Sequence, residues 1–246
     1  MDHLVYIAAS GAGETMLAQA VNTHNLANAS SVGFRADLIS AQSALLSGEQ
    51  MGSRVYSGMH NSGVDFREGV INSTGRDLDV AINGKGWIVV MAPDGSEGFS
   101  RRGDLHIDEF GQLIDGAGQQ IMGNSGPIAL PPYSSIAIGA DGTVSIVPLG
   151  EDPNTLAAID RIKLVNPDTM QMNKGAGGVI QMVSGEEVAA DANVTLLSGS
   201  LESSNVDSVG AMVRMIELSR QFEHHIKIMK VAEQLDQAST QLMSLS

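Results

Sequence analysis

The hydrophobic pattern changes period twice along the chain. In residues 3–27, apolar side chains fall at Leu4, Ile7, Ala8, Met16, Leu17, Ala20, Val21 and Leu26. This is roughly the three-and-four spacing of an amphipathic helix, with Gly11 and Gly13 as a weak joint. Asn25, Asn28, Ser30 and Ser31 then crowd in, and Gly33 is placed to end the helix. Residues 34–63 are rich in Ser, Gly, Gln and Met, which predicts extended or loop-like chain, with 36–46 as a helix candidate. From Asp65 the period is two. Val80 and Ile82 lead into Asn83-Gly84, and Trp87, Val89 and Met91 follow, which predicts a β-hairpin. Further strands are predicted at 105–107, 112–114, 120–122, 135–138, 143–147, 158–165, 179–182 and 194–197. Asp94-Gly95, Asp115-Gly116 and Asp141-Gly142 supply turns between them.

At Asp207 the helical period returns. Residues 211–246 contain no Gly or Pro, whereas all seven prolines lie between Pro93 and Pro167. The apolar stripe moves around this helix as it proceeds. Val206, Val209, Val213 and Ile216 come first, then Met212, Met215, Phe222, Ile226 and Met229. Last come Ile228, Val231, Leu235, Ala238, Leu242 and Leu245, whose gaps of 3, 4, 3, 4 and 3 make a heptad seam that needs a partner helix. The helix at the other terminus is the natural candidate. Apolar residues on several faces of one helix predict several neighbours, and Glu223 and Lys227 support it at i, i+4. The expected fold class is α+β, with N- and C-terminal helices forming a coiled-coil-like layer around a central all-β domain. Residues 1–34 with 207–246 are expected to form a helical assembly domain, 35–68 with 198–206 a connecting region, and 69–197 a β-rich outer domain.

Charge sharpens this picture. The net charge of −14 is concentrated between Asp65 and Asp207, with 20 acidic and 8 basic residues, while the terminal segments are nearly neutral. An acidic middle argues against nucleic acid, which needs a basic face. Neutral ends suit close packing against identical neighbours. There is no cysteine, which excludes disulfides, thiolate chemistry and Cys zinc sites. Asp2 stands where a secretory signal has a basic region, and Gly11, Gly13 and Glu14 interrupt any apolar run, so no cleaved signal peptide is expected. No stretch of 18 apolar residues exists, so no membrane helix is expected either.

Candidate chemistry is thin. Gly11-Ala-Gly-Glu-Thr15 and Gly84-Lys-Gly86 do not fit a phosphate-binding loop. His224-His225 lacks the carboxylate spacing of a metal helix and reads as a surface or interface pair. Asp104, Asp108 and Gly111 depart from a calcium loop and read as a polar β-turn. Arg101-Arg102 reads as a salt-bridging strand end in an acidic field. No serine-hydrolase elbow or clustered Ser, His and Asp pattern occurs. No catalytic residue, cofactor, metal or small-molecule substrate is expected.

One stretch is more specific. Asn22, Asn25 and Asn28 recur at every third position into a helix end, followed by Gly33-Phe34. Capping accounts for Asn28 and Gly33 but not for Asn22 and Asn25, because Asn is mildly unfavourable inside a helix. An amide that both donates and accepts suits a joint. Residues Thr23-His-Asn-Leu-Ala-Asn-Ala-Ser-Ser-Val-Gly-Phe34 resemble the N-terminal signature of the bacterial flagellar rod, hook and hook-associated axial proteins. Thr23 and His24 replace the usual Ala and a frequent Asn. Gly75-Arg-Asp-Leu-Asp-Val-Ala-Ile-Asn-Gly-Lys-Gly-Trp87 is similar to that family's entry into its β-domain, with Trp87 where Phe is usual. Phe99-Ser-Arg-Arg-Gly103, Asp108-Glu-Phe-Gly-Gln-Leu113, Ile138-Gly-Ala-Asp-Gly-Thr-Val-Ser145 and Gly199-Ser-Leu-Glu-Ser-Ser-Asn-Val206 continue the similarity in the family's order.

The resemblance implies a structural subunit that leaves through the flagellar export apparatus without a cleaved signal. Such a subunit stacks with copies of itself and with other rod proteins into the periplasmic rod of the basal body. The opening Met1-Asp-His-Leu-Val-Tyr-Ile-Ala-Ala-Ser-Gly11 looks like the proximal-rod member of the family, with the distal-rod member as the alternative. A secreted adhesion or binding module is the rival from outside the family. The residues expected at the assembly interface are Asn25, Leu26, Asn28, Gly33 and Phe34 in the joint. On the C-terminal helix they are Val213, Ile216, Ile228, Val231, Leu235, Leu242 and Leu245.

Overall fold

The computed structural model describes residues 2–45, 55–152, 155–175 and 178–244. Among them the chain runs through helix α1 (Asp2–Ala27), then β1 (Asp37–Leu45), β2 (Val55–Val64), β3 (Ile71–Ser73), β4 (Val80–Asn83), β5 (Trp87–Met91) and β6 (Glu97–Ser100). It continues through β7 (His106–Ile107), β8 (Leu113–Ile114), β9 (Tyr133–Ile138), β10 (Thr143–Pro148), β11 (Ala157–Arg161) and β12 (Leu164–Val165). Last come β13 (Met172–Lys174), β14 (Ile180–Met182), β15 (Thr195–Ser198), β16 (Ser200–Glu202) and helix α2 (Ser208–Ser244). The fold class is α+β: one helix at each end and antiparallel strands between. Two compact units result. One comprises Met1–Asn28, Asp37–Gly63 and Val206–Ser246; the other comprises Ala29–Ala36 and Val64–Asn205. No helix among the described residues is long and apolar enough to cross a membrane.

In the first unit α1 and α2 pack against each other, and β1 pairs with β2. Asp207 caps α2, its carboxylate accepting from the Val209 N–H at 3.1 Å. The side of α2 with its smallest exposure carries Ala211, Met215, Leu218, Phe222, His225, Met229 and Ala232. Those gaps of 4, 3, 4, 3, 4 and 3 are a heptad seam, but not the one expected to meet the other terminus. Ile228, Val231 and Leu235 keep 41, 52 and 51% of their surface open. Size decides between the two seams. Ala8, Ala12 and Thr15 are buried on α1, as are Ala211 and Ala232 on α2, and small residues let helix axes approach closely. Gly11 is no joint. The helix passes through it unbroken, and a Cβ there would lie 2.5 Å from the His225 ring.

The second unit is β-structure around two apolar clusters. The larger gathers Val80, Ile82, Ile88, Val90, Leu105, Leu113, Ile121 and Ile146 among others. The smaller gathers Val64, Trp87, Val89, Phe99, Val165, Met172 and Ile180. Strand β5 serves both, because successive side chains leave opposite faces. It sends Ile88 and Val90 one way and Trp87 and Val89 the other. Its sheet has the order β12-β5-β6-β14-β13; β9, β10 and β11 form a second sheet with β10 central.

Three expectations are corrected. Asn83-Gly84 does not close a hairpin: β4 pairs with β15, and β5 with β6 and β12. An Asn-Gly hairpin closes as a type I′ turn, which needs positive φ at both centres, and here Gly84 and Gly86 have it while no non-glycine residue among the described residues does. Residues 36–45, read as a helix candidate, are β1 from Asp37; the end of that candidate, residue 46, is outside the described residues. The span 158–165 is not one strand. β11 pairs with β10, and β12 pairs with β5.

Candidate functional site

Two features answer the sequence's candidates: a polar joint in the β unit and an open apolar face on the helix pair. Helix α1 stops at Ala27, where the Asn28 N–H bonds back to His24 and Asn25 carbonyls at 3.2 and 3.1 Å. Gly33, expected to end the helix, lies six residues further on. Its φ of +65° turns the chain where a Cβ would sit 2.4 Å from the Arg101 carbonyl carbon. Only glycine meets both demands. Its N–H donates to the Glu202 carbonyl at 2.8 Å. Next to it the Lys174 ammonium lies 4.9 Å from the centre of the Phe34 ring.

Arg35 then enters the interior. Its guanidinium donates to Glu202 Oε1 at 2.5 Å, and Arg101 donates to Glu202 Oε2 at 3.0 Å. The Gly69 N–H donates to Oε1 at 2.7 Å. All three side chains are buried, Glu202 to 1% exposure. Two guanidinium groups meet one carboxylate, and the second positive charge faces Trp87. The Arg35 and Arg101 guanidinium carbons lie 5.8 and 5.2 Å from the indole centre. An indole face attracts cations more strongly than a phenyl does, which gives Trp87 a role beyond packing. Burial lowers the Arg101 pKa from its ordinary value, and the Glu202 charge opposes that. Arg102, by contrast, pairs with Asp104 at 2.7 Å, and that hydrogen bond raises its pKa.

Asn205 completes the joint. Its Oδ1 accepts from the Ala36 N–H at 2.8 Å, and its Nδ2 donates to the Asp65 and Arg67 carbonyls at 2.8 and 3.0 Å. Its own N–H donates to the Phe34 carbonyl at 3.3 Å, and the Asp65 N–H donates to the Ala36 carbonyl at 2.8 Å. Glu202 and Asn205 are absent from the expected site residues. The run that holds them, Gly199–Val206, shows in the sequence, but their partners lie 101 to 167 positions away for Glu202 and up to 169 for Asn205.

In the helical unit, Asn22 Nδ2 donates to the Ala211 carbonyl at 2.8 Å. Asn25 accepts from the Asp37 N–H and donates to the Asp37 carbonyl, both at 2.9 Å. The two asparagines that capping left unexplained thus bind backbone across the unit. Asn28 Nδ2 donates to the His24 carbonyl at 3.0 Å. Leu26 is half-buried; Val213 and Ile216 are exposed, as are Ile228, Val231 and Leu235. The Leu242 side chain and Leu245 lie outside the described residues. Asp108 closes a turn by accepting from the Phe110 and Gln112 N–H groups at 2.9 and 2.7 Å.

A helix pair made from both chain termini, apolar on its outer side, with a β unit inserted between the two helices, defines a subunit of an axial assembly. The motifs that converge on the joint narrow the class. Residues 197–242 match a family model described as flagellar basal body rod FlgEFG protein C-terminal, and residues 81–146 match flagellar hook protein FlgE/F/G D1 domain. The flagellar basal-body rod protein FlgF of Salmonella typhimurium is 37% identical over 252 residues, covering 100% of both chains. FlgF of Escherichia coli K12 is likewise 37% identical over 252 residues, with 100% of both chains covered. FlgG of Buchnera aphidicola subsp. Schizaphis graminum is 28% identical over 265 residues, covering 97% of this chain and 98% of that one. The chain belongs to the flagellar basal-body rod protein family and is a structural subunit of that rod. Of these relatives it is more similar to FlgF than to FlgG, and the end-to-end match favours this reading over an adhesion module.

Proposed function

We propose that the chain builds the proximal part of the rod, the shaft that crosses the periplasm. Copies of it and of other rod proteins stack helically, with their terminal helices packed into a coiled-coil-like inner layer and their β units outside. The observation that carries this is the pair of seams on α2. One, from Ala211 to Ala232, has its least exposed side chains and is matched by buried small residues on α1. The other, at Ile228, Val231 and Leu235, is left about half open. Tyr6, Ile7, Met16 and Leu17 are similarly open on α1. Apolar surface of this extent on one helix pair marks an interface. Heterologous contacts that do not close a ring build filaments, so neighbours of the same design extend the stack. The role is mechanical rather than catalytic, and Asn25, Leu26, Asn28, Gly33 and Phe34 serve as its joint. The subunit reaches the periplasm through the flagellar export apparatus.

Leu235→Asp in place of the chromosomal copy tests this. A charge forced into a packed seam without a partner is costly, so rods and motility are expected to be lost while the purified protein keeps its β unit folded. Normal swimming by that strain contradicts the proposal.

A further inference from the structure

Resting on the rod reading, we propose that Asn205 is a positioning residue for force transfer, gripping the segments by which the β unit is tied to the rest of the chain. The chain passes between the two units after Asn28, Ala36, Gly63 and Asn205, and these are its only covalent routes. Any load carried from the β unit to the helices through the chain itself crosses these points. Three of the four are bonded to one side chain. Asn205 is itself the last residue of the β unit, its Oδ1 holds the Ala36 N–H, and its Nδ2 holds the Asp65 and Arg67 carbonyls just after the Gly63 passage. The Asp65 N–H to Ala36 and Asn205 N–H to Phe34 backbone bonds lace the same segments together. The passage after Asn28 is tied in more remotely, by the Gly33 N–H on the Glu202 carbonyl.

The chemistry singles out asparagine. The position needs one acceptor and two donors on a single short planar group, which an amide supplies, while a carboxylate has no donor and a hydroxyl has one. Segments bonded side by side share a load. Segments without the grip peel one after another, each bond failing alone. The consequence is a defect that depends on load rather than on folding.

The test replaces the chromosomal copy in a motile host and counts basal bodies by electron microscopy. It then records rotation of a bead on the flagellar stub at low load and at high load. Asn205→Ala is expected to give the parent number of rods and parent speed at low load. At high load its motors should stall or shed flagella several-fold more often. Asn72→Ala, which removes only the neighbouring 2.7 Å bond to Ser203, is expected to match the parent at both loads. Parent behaviour of Asn205→Ala at high load overturns the proposal. If Asn205→Ala lowers the rod count at the outset, Asn205→Ser decides, since its hydroxyl keeps one donor and one acceptor. A load-dependent defect there supports the grip, and a load-independent one shows that the residue only supports the fold. A deletion strain separates the two claims: rods that persist without the chain overturn the rod reading itself, whereas their loss leaves the grip to stand or fall alone.

Discussion

Glu202 sits in the interior between two arginines and is the carboxylate that both of them hydrogen-bond. Removing one partner of a buried ion pair leaves an uncompensated charge, and such changes cost about 3–5 kcal/mol. Glu202→Gln keeps the shape and removes the charge, leaving Arg35 and Arg101 to repel each other beside Trp87. It is expected to lower the unfolding free energy by about that amount in urea titrations of the purified protein. An effect below about 1 kcal/mol, the range of an exposed pair, would show the triad to be incidental. The sequence made Arg101 visible as a salt-bridging residue but not as a buried one. Nothing local marks a partner that lies 101 residues away. The asparagines were legible as anomalies in a helix, and the structure supplies what they bind. Gly33 was legible only as a helix terminator, whereas the turn it makes six residues past the helix, against the Arg101 backbone, was not.

At the scale of elements, the terminal helices were the most legible part, because a sustained three-and-four pattern needs no tertiary information. Their pairing was not. Hydrophobicity pointed to Ile228, Val231 and Leu235 as the face toward the other terminus, but the small residues are buried instead. Gly11 and Gly13 make this measurable. A Cβ at Gly11 meets the His225 ring at 2.5 Å, whereas one at Gly13 meets nothing within 4 Å. Gly13→Ala is therefore expected to stabilise the protein by about 0.5–1 kcal/mol through helix propensity alone. Gly11→Ala is expected to destabilise it by about 1–3 kcal/mol through overpacking. Helical circular dichroism followed through a urea titration checks both, and equal effects at the two sites contradict the packing described. The β unit was legible as strands and turns but not as sheets. Asn83-Gly84 promised a local hairpin, and the register was set elsewhere, by Gly86 lying against Val194 and by β15 claiming β4.

For the whole molecule, net charge is divided between the middle of the chain and its ends. The acidic residues concentrate between Asp65 and Asp207, and the nearly neutral helices carry the open apolar face. Such a division keeps like-charge repulsion away from the proposed interface. The central claim is that the outer seam of α2 is covered by another subunit in the rod. The absence of cysteine from the chain permits a direct measurement. Val231→Cys places a single thiol on a residue with 52% of its surface open in the isolated subunit. Labelling by a maleimide is expected to be rapid in the purified subunit and strongly suppressed in isolated basal bodies. Equal labelling of the free and the assembled protein would contradict the account.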